Sequence, residues 1–201
     1  LAKIDIELFL ERESLIPEEV VFIVFHAGLG QDYTLPGFDP TIYDLKSAYI
    51  DQEIMAGVSP AIILNTSIRS GILLPETQNM IYYDMVEDIF GNPNYGTEDL
   101  CDIQLGMTGI FAFLLGYELG LPPLFNSETG APGVGFFGLM DHGSNNGRGV
   151  IPSPPSPFTR SLPENVWSDI QTISPFNSSD TILSIFALDS LNSLIKIDIS
   201  D

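Results

Sequence analysis

The sequence predicts an α/β fold, and three features of the chain point to it. Val20-Val-Phe-Ile-Val-Phe25 is a continuous β-branched and aromatic run, the pattern of a strand buried on both faces at the centre of a sheet. Leu105 to Leu119 is a long apolar stretch of helical length. Short apolar runs bounded by Pro, Gly, Asn and Ser recur between these two segments, as strands separated by turns do.

The elements follow in order. Ile4, Ile6, Leu8 and Leu10 fall at period two with charged residues at Asp5 and Glu7, which predicts an opening strand. The Val20–Phe25 strand runs into His26-Ala-Gly-Leu-Gly-Gln-Asp32, whose glycines permit a tight turn at the strand's C-terminal edge. Tyr33 to Asp51 is loop-like, with one or two helical turns expected over Tyr43 to Asp51. Pro60–Asn65 and Ser70–Pro75 predict two further strands, and Gly91–Gly96 a turn-rich loop. Thr97-Glu-Asp99 supplies an N-cap and first-turn acids for a helix running to about Leu119, where Gly120 and Pro122 stop it. Asn126 to Pro163, rich in Gly, Pro and polar residues, reads as a long ordered loop of the kind that lines sites. Leu194–Ile199 reads as a half-exposed strand, alternating apolar and charged residues from Ile195 onward.

Composition narrows the function. The 201 residues carry 27 acidic and 7 basic side chains, a formal charge of −20, with 44% apolar residues. That balance is globular, and the charge repels nucleic-acid phosphates and anionic lipid headgroups. Cys101 is the lone cysteine, so neither an intrachain disulfide nor a cysteine-based zinc knuckle is expected. Leu105 to Phe125 holds one charge, Glu118, yet four glycines interrupt it, Pro122-Pro123 closes its apolar part, and no Lys or Arg flanks it. A buried core helix is expected there rather than a membrane span. The N-terminus shows no basic-then-apolar leader, and the chain reads as a piece of something longer.

Chemistry-bearing residues are sparse. His26 and His142 are the two histidines, and neither has a second imidazole at i+3 or i+4, so the local geometry for zinc is missing. His26 is open to a ligand or base role, although a histidine hydrogen-bonded in a sheet-end turn is the simpler reading; His142 lies in a tight turn open to solvent. No Gly-x-Ser-x-Gly elbow, Walker motif or dinucleotide fingerprint occurs. Asp84, Glu87 and Asp88 read as a solvated face. Asp32, Asp39 and Asp44 share one loop and are a candidate calcium set without the twelve-residue calcium-loop pattern.

A resemblance supplies what spacing does not. Gly109-Ile-Phe-Ala-Phe-Leu-Leu-Gly-Tyr-Glu-Leu-Gly-Leu-Pro-Pro-Leu124 resembles the active-site helix of secreted immune inhibitor A-type metallopeptidases, approximately G-x-x-A-H-E-x-G-H-x-L-G-L-P-D-L. Val24–Asp32 is similar to the family's strand and turn ahead of that helix. Gly138-Leu-Met-Asp-His-Gly143 is similar to the methionine-containing turn beneath the zinc of metzincin-like enzymes, with Met140 as its methionine. Pro154–Arg160 followed by Trp167 is similar to the segment after that turn, so the likeness spans roughly Phe22 to Trp167.

The resemblance implies a metzincin-like zincin fold: a twisted, mostly parallel sheet, a buried active-site-type helix and long Gly/Pro-rich loops. It also implies an exported, extracellular or cell-surface bacterial protein, with residues 1–188 as the peptidase-like domain and 189–201 opening a following β domain. The departures are specific. Phe113 and Tyr117 stand at the two zinc-histidine positions, Leu114 at the general-base glutamate and Pro123 at the presumed third ligand. Phe and Leu offer no lone pair to a metal or a proton, and one phenol does not replace three ligands. Glu118, one residue past Tyr117, is rotated about 100° around the helix and is not expected to face that position. The implied domain is non-catalytic and without zinc, serving binding or structural support. An atypical metallopeptidase drawing on His26 and His142 is the alternative. Tyr117, His142 and His26 are the candidate cleft-lining residues, and a peptide or glycan the candidate ligand.

Overall fold

The structure, a computed structural model, describes residues 6–32, 43–57, 62–63, 66–78, 80–87, 93–103, 105–162, 170–173 and 194–197. It is a mixed α/β fold. The first element is a helix, α1 (Ile6–Glu13), where alternation predicted a strand. Ile6, Phe9 and Leu10 also stand at i, i+3 and i+4, and Glu7, Leu8, Glu11 and Arg12 beside them are good helix formers. Leu10 is fully buried, and Ser14 at φ 57° ends the helix in a left-handed conformation.

Strand β1 (Ile23–Leu29) is an edge strand. The strands β2 (Ala48–Ile50) and, further along, β5 (Gly71–Thr77) complete its sheet in the order β1-β5-β2. Between them lie α2 (Gln52–Ala56), capped by the Asp51 carboxylate accepting from the Ile54 N–H at 2.9 Å, and a small pairing of β3 (Ile62–Ile63) with β4 (Thr66–Ser67). The centre of the sheet is therefore β5 and not the Val20–Phe25 run. Ile72 and Leu74 are buried, whereas Val24 and Phe25 of β1 are 59% and 63% exposed. The segment's apolar content gives its strand propensity but does not decide which side chains are covered. The sheet is mixed rather than mostly parallel, since β1 runs parallel to β5 and β2 antiparallel to it. Pairing of β1 with β5 is regular from Ile23↔Ile72 to His26↔Pro75 and shifts beyond it. Pro75 has no N–H to give, and Gly28 at φ +91° takes up the irregularity. The helical turns expected over Tyr43 to Asp51 are replaced by β2, with the helix beginning only after Asp51.

The largest departure lies between Met80 and Ile103. A two-stranded antiparallel pair, β6 (Met80–Glu87) with β7 (Pro93–Ile103), stands where a turn and the start of a long helix were predicted. Thr97-Glu-Asp99 carries an N-cap signature, but Leu100, Cys101 and Asp102, just after it, pair with Tyr83, Tyr82 and Ile81 of the β-prone run, and cross-strand pairing prevails over the cap. Asp84 and Glu87 fall on β6, while Asp88 lies outside the described residues.

Helix α3 (Thr108–Glu118) is correspondingly shorter than the predicted Thr97–Leu119 helix. It lies against β2 and β5, so that Leu114 joins Ile72 and Leu74 in one core cluster. Gly120 at φ +78° terminates it as the sequence suggested. A short helix, α4 (Pro157–Ser161), capped by Ser156, interrupts the proline-rich tail of the following loop. Strand β8 (Ile170–Ile173) pairs in parallel with β9 (Leu194–Ile197), the alternating strand near the end of the chain. Trp167 lies outside the described residues. Among the described residues no helix is long and apolar enough to cross a membrane.

Two glycines set how α3 meets the loop that follows it. A Cβ on Gly109 would stand 1.8 Å from the Ser144 carbonyl oxygen, and one on Gly116 would stand 2.4 Å from the Met140 sulfur. The Gly109 N–H donates to the Gly149 carbonyl at 2.8 Å, tying the first turn of the helix to the loop. Alanine favours a helix interior over glycine by ~1 kcal/mol, but backbone cannot retreat from a new methyl as a side-chain end can. Gly109→Ala is therefore expected to lower stability by ~1–3 kcal/mol, measured by chemical denaturation. Gly116→Ala, which meets only the flexible end of Met140, is expected to cost less.

Candidate functional site

Helix periodicity places Phe113 and Tyr117 one turn apart on α3, and their rings meet edge to face with centroids 5.0 Å apart and planes at 84°. Tyr117 stacks on Tyr49 of β2 at 5.8 Å, with planes 13° apart. Phe113 turns its other side to Phe125, at 6.1 Å, on the chain leaving the helix. The two positions that the resemblance equates with zinc histidines thus belong to an aromatic row running from the sheet to the loop. Leu114 is buried in the core, and Pro123 is exposed. Burial raises the Tyr117 hydroxyl above the ordinary tyrosine range, so it remains a neutral phenol at physiological pH.

Beside this row lies a groove of about 300 Å³. Ile110, Phe113 and Phe125 give it an apolar wall, and His142, Ser144 and Asn145 line it from the loop. The His142 ring is 40% exposed and lies 6.0 Å from the Phe136 ring. Of the three candidate cleft residues, His142 alone lines the groove; Tyr117 sits behind Phe113, and His26 is on β1 with its Nδ1 3.1 Å from the Ala27 carbonyl oxygen. His26 thus lies within β1, which continues to Leu29, and not in a turn after it, and its Nε2 is buried with no hydrogen-bond partner among the described residues.

The loop opposite α3 is organised by Asp141, a residue that sequence reading passed over. Its carboxylate is 2% exposed and accepts four backbone N–H bonds. Gly133, Val134 and Gly135 donate to Oδ2 at 2.9, 2.7 and 2.8 Å, and His142 donates to Oδ1 at 2.7 Å. Burial alone pushes this carboxyl up, but the four converging donors outweigh it and hold it below the ordinary aspartate range. The available signal was a single acid following a cluster of glycines at 130, 133, 135 and 138, the composition of a backbone nest around an anion. Met140, next in line, is fully buried against the Gly116 side of α3, and its carbonyl accepts from the Leu124 N–H at 2.8 Å. The methionine turn therefore lies directly against the helix.

Asp32 also reaches the groove. Its carboxylate accepts from the Ser47 N–H at 2.7 Å, from the Ser47 hydroxyl and from the Gln78 amide, so it ties the end of β1 to the chain before β2 and after β5. Asp44 lies on the same chain segment as Ser47, and Asp39 falls outside the described residues. Among the described residues, no three or more His, Cys, Asp or Glu side chains converge on a common point. Comparison with known proteins gives no matching family model, no matching curated protein and no matching solved structure.

The chemistry available in the groove is contact and hydrogen bonding: apolar surface on one wall, an imidazole and amide on the other, and carboxylates already held by donors. Because the folded pKa of Asp141 is depressed, its contribution to stability is fully present above the unfolded-state value and is lost as pH falls through the folded one. Stability measured from pH 7 downward is expected to drop below about pH 4. Asp141→Asn is expected to be destabilised at pH 7 and to lose that part of the acid dependence, read as denaturation midpoints across pH.

Proposed function

We propose that this chain is a non-catalytic, metallopeptidase-like domain of the immune inhibitor A type, with a zincin-like fold, and that its groove binds a peptide. The observation that carries the reading is the groove itself. A domain serving only as a spacer has reason to fill the space beside Phe113, whereas about 300 Å³ remains there between an aromatic wall and a polar one. Apolar wall and polar rim together suit a peptide segment with an aromatic or aliphatic side chain, which the wall desolvates while His142 and Asn145 meet backbone polar groups. The position of Met140 against α3 and the order of the motifs along the chain support the family reading. Phe113, Leu114 and Pro123 support the absence of catalysis, since none of them holds a metal or moves a proton. An extracellular or cell-surface location follows from the same resemblance.

Selection from a random peptide library followed by fluorescence anisotropy tests the binding reading. Peptides carrying a large apolar residue are expected to be retained and left uncleaved. His142→Ala, at a partly exposed rim position, is expected to weaken them about three- to tenfold, the loss of one hydrogen-bonding side chain. Phe113→Asp is expected to abolish binding, with circular dichroism to show that the fold persists. Blank peptide and glycan screens would favour the spacer instead, and peptide cleavage would favour the atypical peptidase.

A further inference from the structure

A second cavity, of about 160 Å³, lies where the C-terminal end of α3 meets the segment leading into β1 and the residues just before β5. Its charged groups are Glu118, Arg69 and Glu18, and its apolar surface comes chiefly from Phe22, Ile68 and Val20. Glu118 is the one charge of an otherwise apolar helix, and sequence analysis assigned it no role. Its Oε1 accepts from the Ser70 hydroxyl at 3.0 Å, while its Oε2 is buried with no hydrogen-bond partner within 3.5 Å among the described residues. The Tyr49 hydroxyl is a near neighbour, raised above its ordinary range by burial and then by the Glu118 charge. Neutral hydroxyls leave that carboxylate without a countercharge. Arg69 lines the same cavity and forms no ion pair with any described residue.

A half-buried carboxylate with one oxygen shut off from water and only hydroxyls beside it is favoured by a cation that reaches it. The cavity also presents the Arg69 guanidinium, which attracts an anion, while Glu18 adds a second carboxylate that favours the positive end of a ligand. A ligand carrying both charges at short separation satisfies both groups, and the apolar lining accommodates a hydrocarbon side chain. The volume falls below the ~300–1,000 Å³ of sites for larger ligands, which favours a small molecule over a chain segment.

We propose that this cavity binds a compact zwitterion, an apolar free α-amino acid, with its ammonium on Glu118 and its carboxylate on Arg69. The site is separate from the groove lined by Phe113 and His142, and its occupancy does not depend on peptide binding there.

Titration calorimetry on the whole chain with leucine, isopentylamine and 4-methylpentanoate tests this, the latter two each lacking one charge. Leucine is expected to bind at millimolar concentration or below, and each single-charge analogue at least about tenfold more weakly. Glu118→Gln is expected to abolish leucine binding. Arg69→Ala, at an exposed position that leaves the fold intact, is expected to weaken leucine and 4-methylpentanoate but not isopentylamine. No heat and no rise in Tm with leucine, isoleucine, valine or phenylalanine would overturn the proposal. So would leucine affinity unaltered by Arg69→Ala, or isopentylamine binding as tightly as leucine.

Discussion

The closeness of α3 to the loop after it is the constraint on which the rest of this molecule depends. Gly109 lets the helix meet the Ser144 carbonyl at a distance that any side chain would prevent, and Gly116 leaves room for the Met140 sulfur. With the helix held there, Leu114 packs onto Ile72 and Leu74 of the central strand, and Phe113 reaches Phe125 across the mouth of the groove. Asp141 completes the arrangement from the loop side. Four backbone donors on one buried carboxylate fix the 133–142 segment and, with it, His142 on the groove wall. The groove is thus the space left between two rigid walls whose separation is set by glycine on one side and by a charge-assisted hydrogen-bond cluster on the other.

What was legible in the sequence follows physical locality. The helix end at Gly120, the strand over Gly71–Thr77 and the buried Met140 rest on short-range signals, namely a left-handed cap, a bounded apolar run and a tight turn. The elements read differently are those in which two periods or two signals competed. Ile6 to Leu10 satisfies both a two-residue and a helical period, and burial of Leu10 selected the helix. Thr97-Glu-Asp99 offers a cap that pairing with Met80–Glu87 overrides. Val20 to Phe25 has the composition of a central strand, but position in a sheet is decided by partners remote in sequence, and β5 holds that place.

Of the positions singled out in the sequence on α3 and in the turn holding Met140, Phe113 and His142 line the groove, while Phe125 and Asp141 emerged only from the fold. A phenylalanine after two prolines and an aspartate in a glycine-rich loop carry no chemistry of their own. Their roles come from what surrounds them, a second aromatic ring in one case and four backbone N–H groups in the other. Glu118 shows the same dependence on position. One step past Tyr117 it turns to Ser70 and a cavity different from the groove that Phe113 lines.

In the proposed reading, replacing metal ligands with hydrocarbon and phenyl groups removes the means to activate water while keeping the walls that once framed a substrate. An apolar contact in place of an unmetallated, buried imidazole also avoids an unsatisfied polar group costing ~1–3 kcal/mol. The most direct measurement is the zinc content of the purified protein, by elemental analysis after mild chelation and again after dialysis against zinc. The account predicts substoichiometric metal in both cases and no change in Tm on zinc addition. One tightly held zinc per chain, with a rise in Tm on reloading, would contradict it.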